Sequence, residues 1–391
     1  AQANKLNNDM GTLKTLVEEQ SKVHQQSKYI NEDPQVQNIY NDSIQKGQEI
    51  LNGTTDDVLN NNKIADAIQN IQLTKNDLHG EQKLQKAQQD ANNELNYLTN
   101  LNNSQRQSEH DEINSAPSRT EVSNDLNHAK ALNEVMRQLE NEVALENSVK
   151  KLSDFINEDE SAQNEYSTAL QKAKDIINGV PTSTIDKATI EGALLELQNA
   201  RESLHGEKKL QEAKNQAVAE IDHLQALNPG QVLAEKTLVN QASTKPEVQE
   251  ALQKAKELNE AMKALKTEID KKEQIKADSK YINADSGLQA NYNSALNYGS
   301  QIITTTQPPE LNKDVINRAT QTIKNAENNL NGQSKLAEAK SDGNQSIDHL
   351  QGLTQSQKDK QHDLINQAQT KQHVDDIVNN SKQLDNSMNQ L

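Results

Sequence analysis

The chain repeats itself every 126 residues, three times over. Leu78-His79-Gly80 returns as Leu204-His205-Gly206 and again as Leu330-Asn331-Gly332. Tyr29-Ile30-Asn31 returns as Phe155-Ile156-Asn157 and Tyr281-Ile282-Asn283. Leu6/Met10 returns as Leu132/Met136, Leu258/Met262 and Leu384/Met388. The register never slips, so the copies carry no net insertion or deletion. A fixed period of this kind marks an array whose units touch mainly their neighbours. Three periods leave a short remainder of the 391 residues, which opens a fourth copy. A piece of a longer array is therefore expected.

Composition decides what each unit can be. Only 32% of the residues are hydrophobic and 2% aromatic, with no Cys and no Trp. Asn and Gln make up close to a quarter. The sparse apolar residues fall at helical spacing, so thin helical bundles are expected rather than disorder or one large core. A net charge of −17 argues against nucleic acid or an anionic membrane as partner. No stretch approaches a transmembrane helix, and no signal peptide opens the sequence. The absence of Cys excludes disulfides and thiolate metal sites.

Within the first copy, Leu6, Met10, Leu13, Leu16, Val17 and Val23 predict a helix over about 3–28. Asp33-Pro34 reads as an N-cap followed by proline in the first turn of a second helix, which Asn52-Gly53 stops. Thr304-Thr305 stands there in the third copy. A third helix is expected from about residue 58 through Ile64, Ala67, Ile68 and Ile71. At Leu78-His79-Gly80 the periodicity resumes almost at once, which favours a continuous or mildly kinked helix through Leu84, Ala87, Ala91, Leu95 and Leu98. A short helix over 104–115 follows. Ser118-Arg119-Thr120-Glu121 reads as a capping box, with Thr244…Glu247 in copy two and a weaker Thr370…His373 in copy three. From Ser118 an apolar face runs through Leu132, Met136 and Leu139 to Phe155 without Gly or Pro. That predicts one unbroken helix of about 38 residues, roughly 57 Å long. It would close one bundle and open the next.

The fold class expected is thus all-α: a linear, rod-like, monomeric array of alternating larger and smaller three-helix bundles sharing long helices. The larger modules are placed at 1–79, 132–205 and 258–331, the smaller at 80–131, 206–257 and 332–383, with 384–391 starting a fourth repeat. Aligned helix axes would give roughly 200 Å of length.

Candidate sites are few. There is no Cys nucleophile, no phosphate-cradling Gly loop and no His-x-x-x-His pair, so no catalytic, cofactor or metal site is assigned, and no enzyme is expected. His79 and His205 suggest a recurring site, but Asn331 replaces them, which fits a junction or capping role and not a metal ligand. Tyr40, Tyr166 and Tyr292 are the aromatics shared by all three copies. They are the candidate ligand-binding residues, as a ladder of hot spots. The alternative is that each ring packs inside its bundle.

Two resemblances follow from these motifs. Ile113-Asn114-Ser115-Ala116 leading into Ser118…Glu121-Val122, with its copies, resembles the three-helix albumin-binding-type module of bacterial surface proteins. Residues around 5–79 and their copies resemble the three-helix module found in various architectures. Their alternation at this period is similar to the giant staphylococcal extracellular-matrix-binding surface proteins. The resemblance implies a cell-surface protein, wall-associated or secreted. It would act as stalk and multivalent binder of extracellular matrix, fibronectin foremost, with a purely mechanical fibre as the rival reading. Serum albumin is disfavoured as a partner. Where albumin binders carry an aromatic cluster, this chain has Ser108-Glu109-His110, Ala234-Glu235-Lys236 and Lys360-Gln361-His362.

Overall fold

The computed structural model describes residues 2–54 and 59–390, and every regular element among them is an α-helix. The helices form two compact units, 1–205 and 206–391. The first unit contains α1 (Gln2–Glu18), α2 (Gln20–His24), α3 (Ser27–Ile30), α4 (Pro34–Leu51), α5 (Asn61–Asn76) and α6 (Gly80–Leu95). It continues with α7 (Asn103–Ser115), α8 (Arg119–Ala144), α9 (Glu146–Val149), α10 (Ser153–Ile156), α11 (Glu160–Asn178) and α12 (Lys187–Glu202). The second contains α13 (Gly206–Asp222), α14 (Pro229–Gln241), α15 (Lys245–Asp270), α16 (Lys272–Ala277) and α17 (Ser279–Ile282). It ends with α18 (Ser286–Thr304), α19 (Lys313–Asn328), α20 (Gly332–Asp348), α21 (Gln355–Gln367) and α22 (Lys371–Asn389).

Each unit holds three bundles. In the first, α1 packs on α4 and α5; α6, α7 and α8 pack together; and α8 packs again on α11 and α12. In the second, α13–α15 form a small bundle, α15 serves α18 and α19, and α20–α22 close the set. The shared helix is thus real. Its apolar residues explain it: Ala129, Leu132, Met136 and Leu139 are all fully buried, and one continuous core runs along α8 from Ile113 in the small bundle to Ile190 in the large one. Each such side chain contributes roughly 1.5–3 kcal/mol by leaving water.

The shared helix is shorter than its apolar pattern predicts. The expected unbroken helix over 118–155 stops at Ala144, after 26 residues or about 39 Å. At Leu145 the backbone tightens, its N–H bonding Glu142 O instead of the carbonyl four back, and Ser148 Oγ donates to the Leu145 carbonyl. Leu152 is then fully extended (ψ 148°) before α10. Copies one and three are interrupted at the matching positions, Glu19 and Lys271, although the Glu19 N–H still bonds Thr15 O four residues back. An apolar stripe survives a local tightening of one turn, so the periodicity of Val143, Val149, Leu152 and Phe155 does not reveal the break.

The Leu-His-Gly junction also departs from the expected continuity. Helix α5 ends at Asn76 and α6 starts at Gly80, with His79 outside helical geometry (φ −111°, ψ 24°). Other local readings hold. Asp33 stands at the N-cap of α4 with Pro34 in the first turn, and Gly53 and Gly179 take the left-handed φ of +66° and +69° that ends α4 and α11. Thr305 instead ends α18 in an extended conformation. Helix α5, expected from about residue 58, is capped by Asn60; residue 58 lies outside the described residues. The reciprocal capping box is complete at Thr244/Glu247, while Ser118 makes only the forward bond to the Glu121 amide.

Candidate functional site

The three shared tyrosines come to rest inside the larger bundles. Tyr40, Tyr166 and Tyr292 are 0%, 1% and 0% exposed. Each ring meets the edge of the preceding aromatic, with Tyr29, Phe155 or Tyr281 at 6.1, 5.9 and 6.0 Å between centroids. Their hydroxyls have no hydrogen-bond partner among the described residues. Burial, with nearby carboxylates, pushes Tyr40 and Tyr292 up to about 12 and raises Tyr166. In the folded bundle these side chains present no surface to a partner. The outer aromatic varies with its neighbour: Asn41 and Asn293 donate to the hydroxyls of Tyr29 and Tyr281, whereas Phe155, lacking a hydroxyl, faces a copy with Ser167 in place of that Asn.

The recurring polar cluster lies at the junction where a larger module meets its small module. Gly80 packs so closely on α3 that a Cβ there would lie 2.6 Å from the Lys28 carbonyl oxygen. Glu32, 5% exposed, accepts the amides of Asp33 and His79 and the ammonium of Lys83. Burial opposes its charge, but Lys83 and the two amides outweigh burial and hold the carboxyl below its usual range. Asn31, 2% exposed, crosses to the small module, donating to Pro117 O at 3.1 Å and accepting the Arg119 amide at 2.8 Å. Asn283 does the same with Gln369 and Lys371. Asp33, at its N-cap position, spends its carboxylate on Lys83 and Arg119 rather than on its own helix.

This geometry explains the His-to-Asn exchange. His79 and His205 contribute their backbone N–H groups, to Glu32 and Glu158. The third copy has Ala284 at the Glu position, and Asn331 takes over by accepting the Asp285 amide at 3.0 Å. Glu32 and Asn31 went unread as junction residues in the sequence. The signal available was an Asn kept in all three copies beside an apolar pair.

On the first two small modules, the middle residue of the albumin-relevant triplet faces inward: Glu109 is 1% and Glu235 3% exposed. Burial raises Glu109, against the pull of His128, whose Nδ1 lies 2.9 Å away. Burial also raises Glu235, opposed only by the charge of Lys254, and its Oε2 has no partner among the described residues. The third copy has Gln361 and Asn380 at these two positions. Glu235→Gln is therefore expected to stabilise the second small module at neutral pH by about 1–2 kcal/mol. The folded carboxyl titrates above its unfolded value, so its charge costs stability above the unfolded pKa, and the cost fades as pH falls through the folded one. Thermal unfolding at pH 7 and at pH 4 checks this; an equal gain at both would contradict it.

No group of three or more potential metal ligands occurs among the described residues, and no described helix is long and apolar enough to cross a membrane.

Comparison with known proteins gives these modules their kin. The FIVAR domain family model matches residues 9–79, 135–205 and 261–331, more than half the chain. The GA module model matches 81–135, 207–261 and 333–387. Over all 391 residues the chain is 36% identical to extracellular matrix-binding protein EbhA of Staphylococcus aureus strain Mu3. It is equally identical to extracellular matrix-binding protein ebh of strain MRSA252. It spans only 6% and 4% of those proteins. A crystal structure of residues 756–1003 of EbhA from S. aureus aligns with a TM-score of 0.57 at 28% identity, covering 63% of this chain and 98% of that one. The relatives are named as matrix-binding proteins and not as enzymes. By its three FIVAR matches, alternating in phase with three GA modules, the chain belongs to the FIVAR domain family, and over its whole length it is similar to staphylococcal extracellular matrix-binding proteins.

Proposed function

We propose that the chain is a monomeric stretch of a bacterial cell-surface protein, wall-associated or secreted. It acts as a spacer that also contributes many weak contacts to extracellular matrix, fibronectin foremost. The observation that carries this reading is the 36% identity over the whole chain to proteins named for matrix binding. The weakness per repeat follows from the surface: the tyrosines identical in all copies are fully buried, so none of them is available as a central anchor. Many weak sites add through effective concentration. The working unit is the 126-residue pair, a smaller module such as 206–257 with a larger one such as 258–331. The same polar surface supports the rival reading, a mechanical fibre without a ligand.

Surface plasmon resonance of one, two and three repeats over fibronectin at graded density, with albumin as parallel surface, distinguishes these. Retention is expected to climb steeply with repeat number and density on fibronectin and to stay at background on albumin. Background on both would leave the mechanical fibre. Tight one-to-one capture by albumin would overturn the exclusion based on the triplets.

A further inference from the structure

We propose that the capping box opening the middle helix of a small module is also the latch that sets the orientation of the next larger module around the shared helix. In Asn102-x-x-Gln105, Asn102 Oδ1 accepts the Gln105 amide at 2.9 Å, and Gln105 Oε1 accepts the Asn102 amide at 3.0 Å. That reciprocal pair uses only the two oxygens, and Asn102 Oδ1 accepts in addition from Ser183 Oγ of the following module at 3.1 Å. The two side-chain NH2 groups point the other way, into the following module. Asn102 Nδ2 reaches the carbonyls of Ile176 and Ile177 at 3.4 Å, and Gln105 Nε2 donates to Thr184 O at 2.9 Å. The second unit repeats the arrangement: Asn228 Nδ2 reaches Ile303 O at 3.2 Å and Thr305 O at 3.0 Å, and Gln231 Nε2 reaches Glu310 O at 2.7 Å. Gln105 and Gln231 are fully buried.

The acceptors explain the choice of amides. The carbonyls of Ile176 and Ile177 belong to the last turn of α11, where Ile177 has no intrahelical N–H left to satisfy it and Ile176, which accepts the Gly179 amide at 3.2 Å, has a second lone pair to offer. A shared helix alone permits the α11–α12 pair to swing about α8. Contacts from α7 to the end of α11 are what oppose that swing. The latch is neutral, so salt does not screen it as it screens an ion pair. It is a property of the fold and does not depend on what the array binds.

The third copy supplies the separating substitution, because it has Thr354 where the others have Asn. Thr354 completes its capping box with Gln357 but carries no NH2 to donate onward. Asn102→Thr should therefore keep the cap and delete the Asn102 donor, leaving only Gln105 to donate onward. Asn102→Asp also keeps the cap and turns a negative charge on the carbonyl end of α11, which should repel it. The chain has no cysteine, so Gln107→Cys on α7 and Gln171→Cys on α11, both exposed, can carry spin labels in the full chain. The parent is expected to give one narrow interspin distance, unchanged in 1 M salt. Asn102→Thr should raise the population outside that peak roughly two- to fivefold, the effect of losing long hydrogen bonds at the low end of the usual range while Gln105 keeps its own, and Asn102→Asp should raise it further. Helicity and melting temperature should hold in both. Equal widths in parent and variants would overturn the proposal. So would broadening that appears only with loss of helicity, which would make Asn102 a helix cap and nothing more.

Discussion

Leu139→Pro is expected to unfold the second larger bundle while leaving the first intact. Leu139 is fully buried in the part of α8 that packs on α11 and α12. Proline removes the N–H that bonds one turn back and clashes with that turn, at about 3 kcal/mol or more. Losing the buried leucine adds to this. Residues 119–134 of α8 still have α6 and α7 to pack on, and α1, α4 and α5 keep a separate core around Leu13, Tyr40, Ile64 and Ile71. Amide hydrogen exchange should show protection lost in α11 and α12, reduced around Leu132 and unchanged in α4 and α5. A single transition that removes protection everywhere at once would show that the array does not behave as nearest-neighbour units.

The second large effect is expected from Gly80→Ala, and its sign is diagnostic. Helix propensity alone favours Ala by about 1 kcal/mol. The Cβ, however, would lie 2.6–2.7 Å from the Lys28 and Ser27 carbonyl oxygens and the Glu32 amide nitrogen, all backbone. Backbone cannot rotate out of the way as a side chain can, so α6 must lift off α3 and take the Glu32 hydrogen bonds with it. A loss of about 2–3 kcal/mol is expected, in the range of overpacked cores. Gly332→Ala should behave alike, since its Cβ would strike Ser279 O and Lys280 O. Gly192→Ala, with nothing within 4 Å of the added atom, should instead gain the propensity term. Thermal unfolding of the three variants checks the contrast. Stabilisation by Gly80→Ala would mean that the junction yields.

These two sites mark how far the sequence could be read. The helical face of Leu132, Met136 and Leu139 is explicit in the spacing, and so is its service to two bundles, because three-helix modules on either side claim the same stripe. The turn-ending glycines at 53 and 179 are legible for a local reason: a left-handed residue after a helix favours glycine whatever surrounds it. Gly80 reads ambiguously by the same logic. Its φ is ordinary, and what requires glycine there is the backbone of α3, about fifty residues earlier in the chain.

The tyrosines show the same division. Recurrence at a fixed period says that Tyr40, Tyr166 and Tyr292 matter in every copy. Whether a helical face carrying such a ring looks outward or inward depends on which neighbouring helices cover it. The structure covers all three. The amide residues are the reverse case. Asn31, Asn102 and Gln105 look like ordinary polar surface in a chain so rich in Asn and Gln, and only the folded arrangement sets them against carbonyls of another module, with Asn31 and Gln105 buried there.

The sequence by itself determined the period, the all-helical class, the alternation of two module types and the family to which they belong. Each of these is written in local spacing and in repetition. Tertiary structure decided where the shared helices break, which residues lock one module to the next and which repeated side chains are hidden. The locks depend on backbone groups brought together from residues some 50–90 positions apart, as between Glu32 and His79 or Asn31 and Arg119, and hydrogen bonds over such separations leave no periodic trace along the chain.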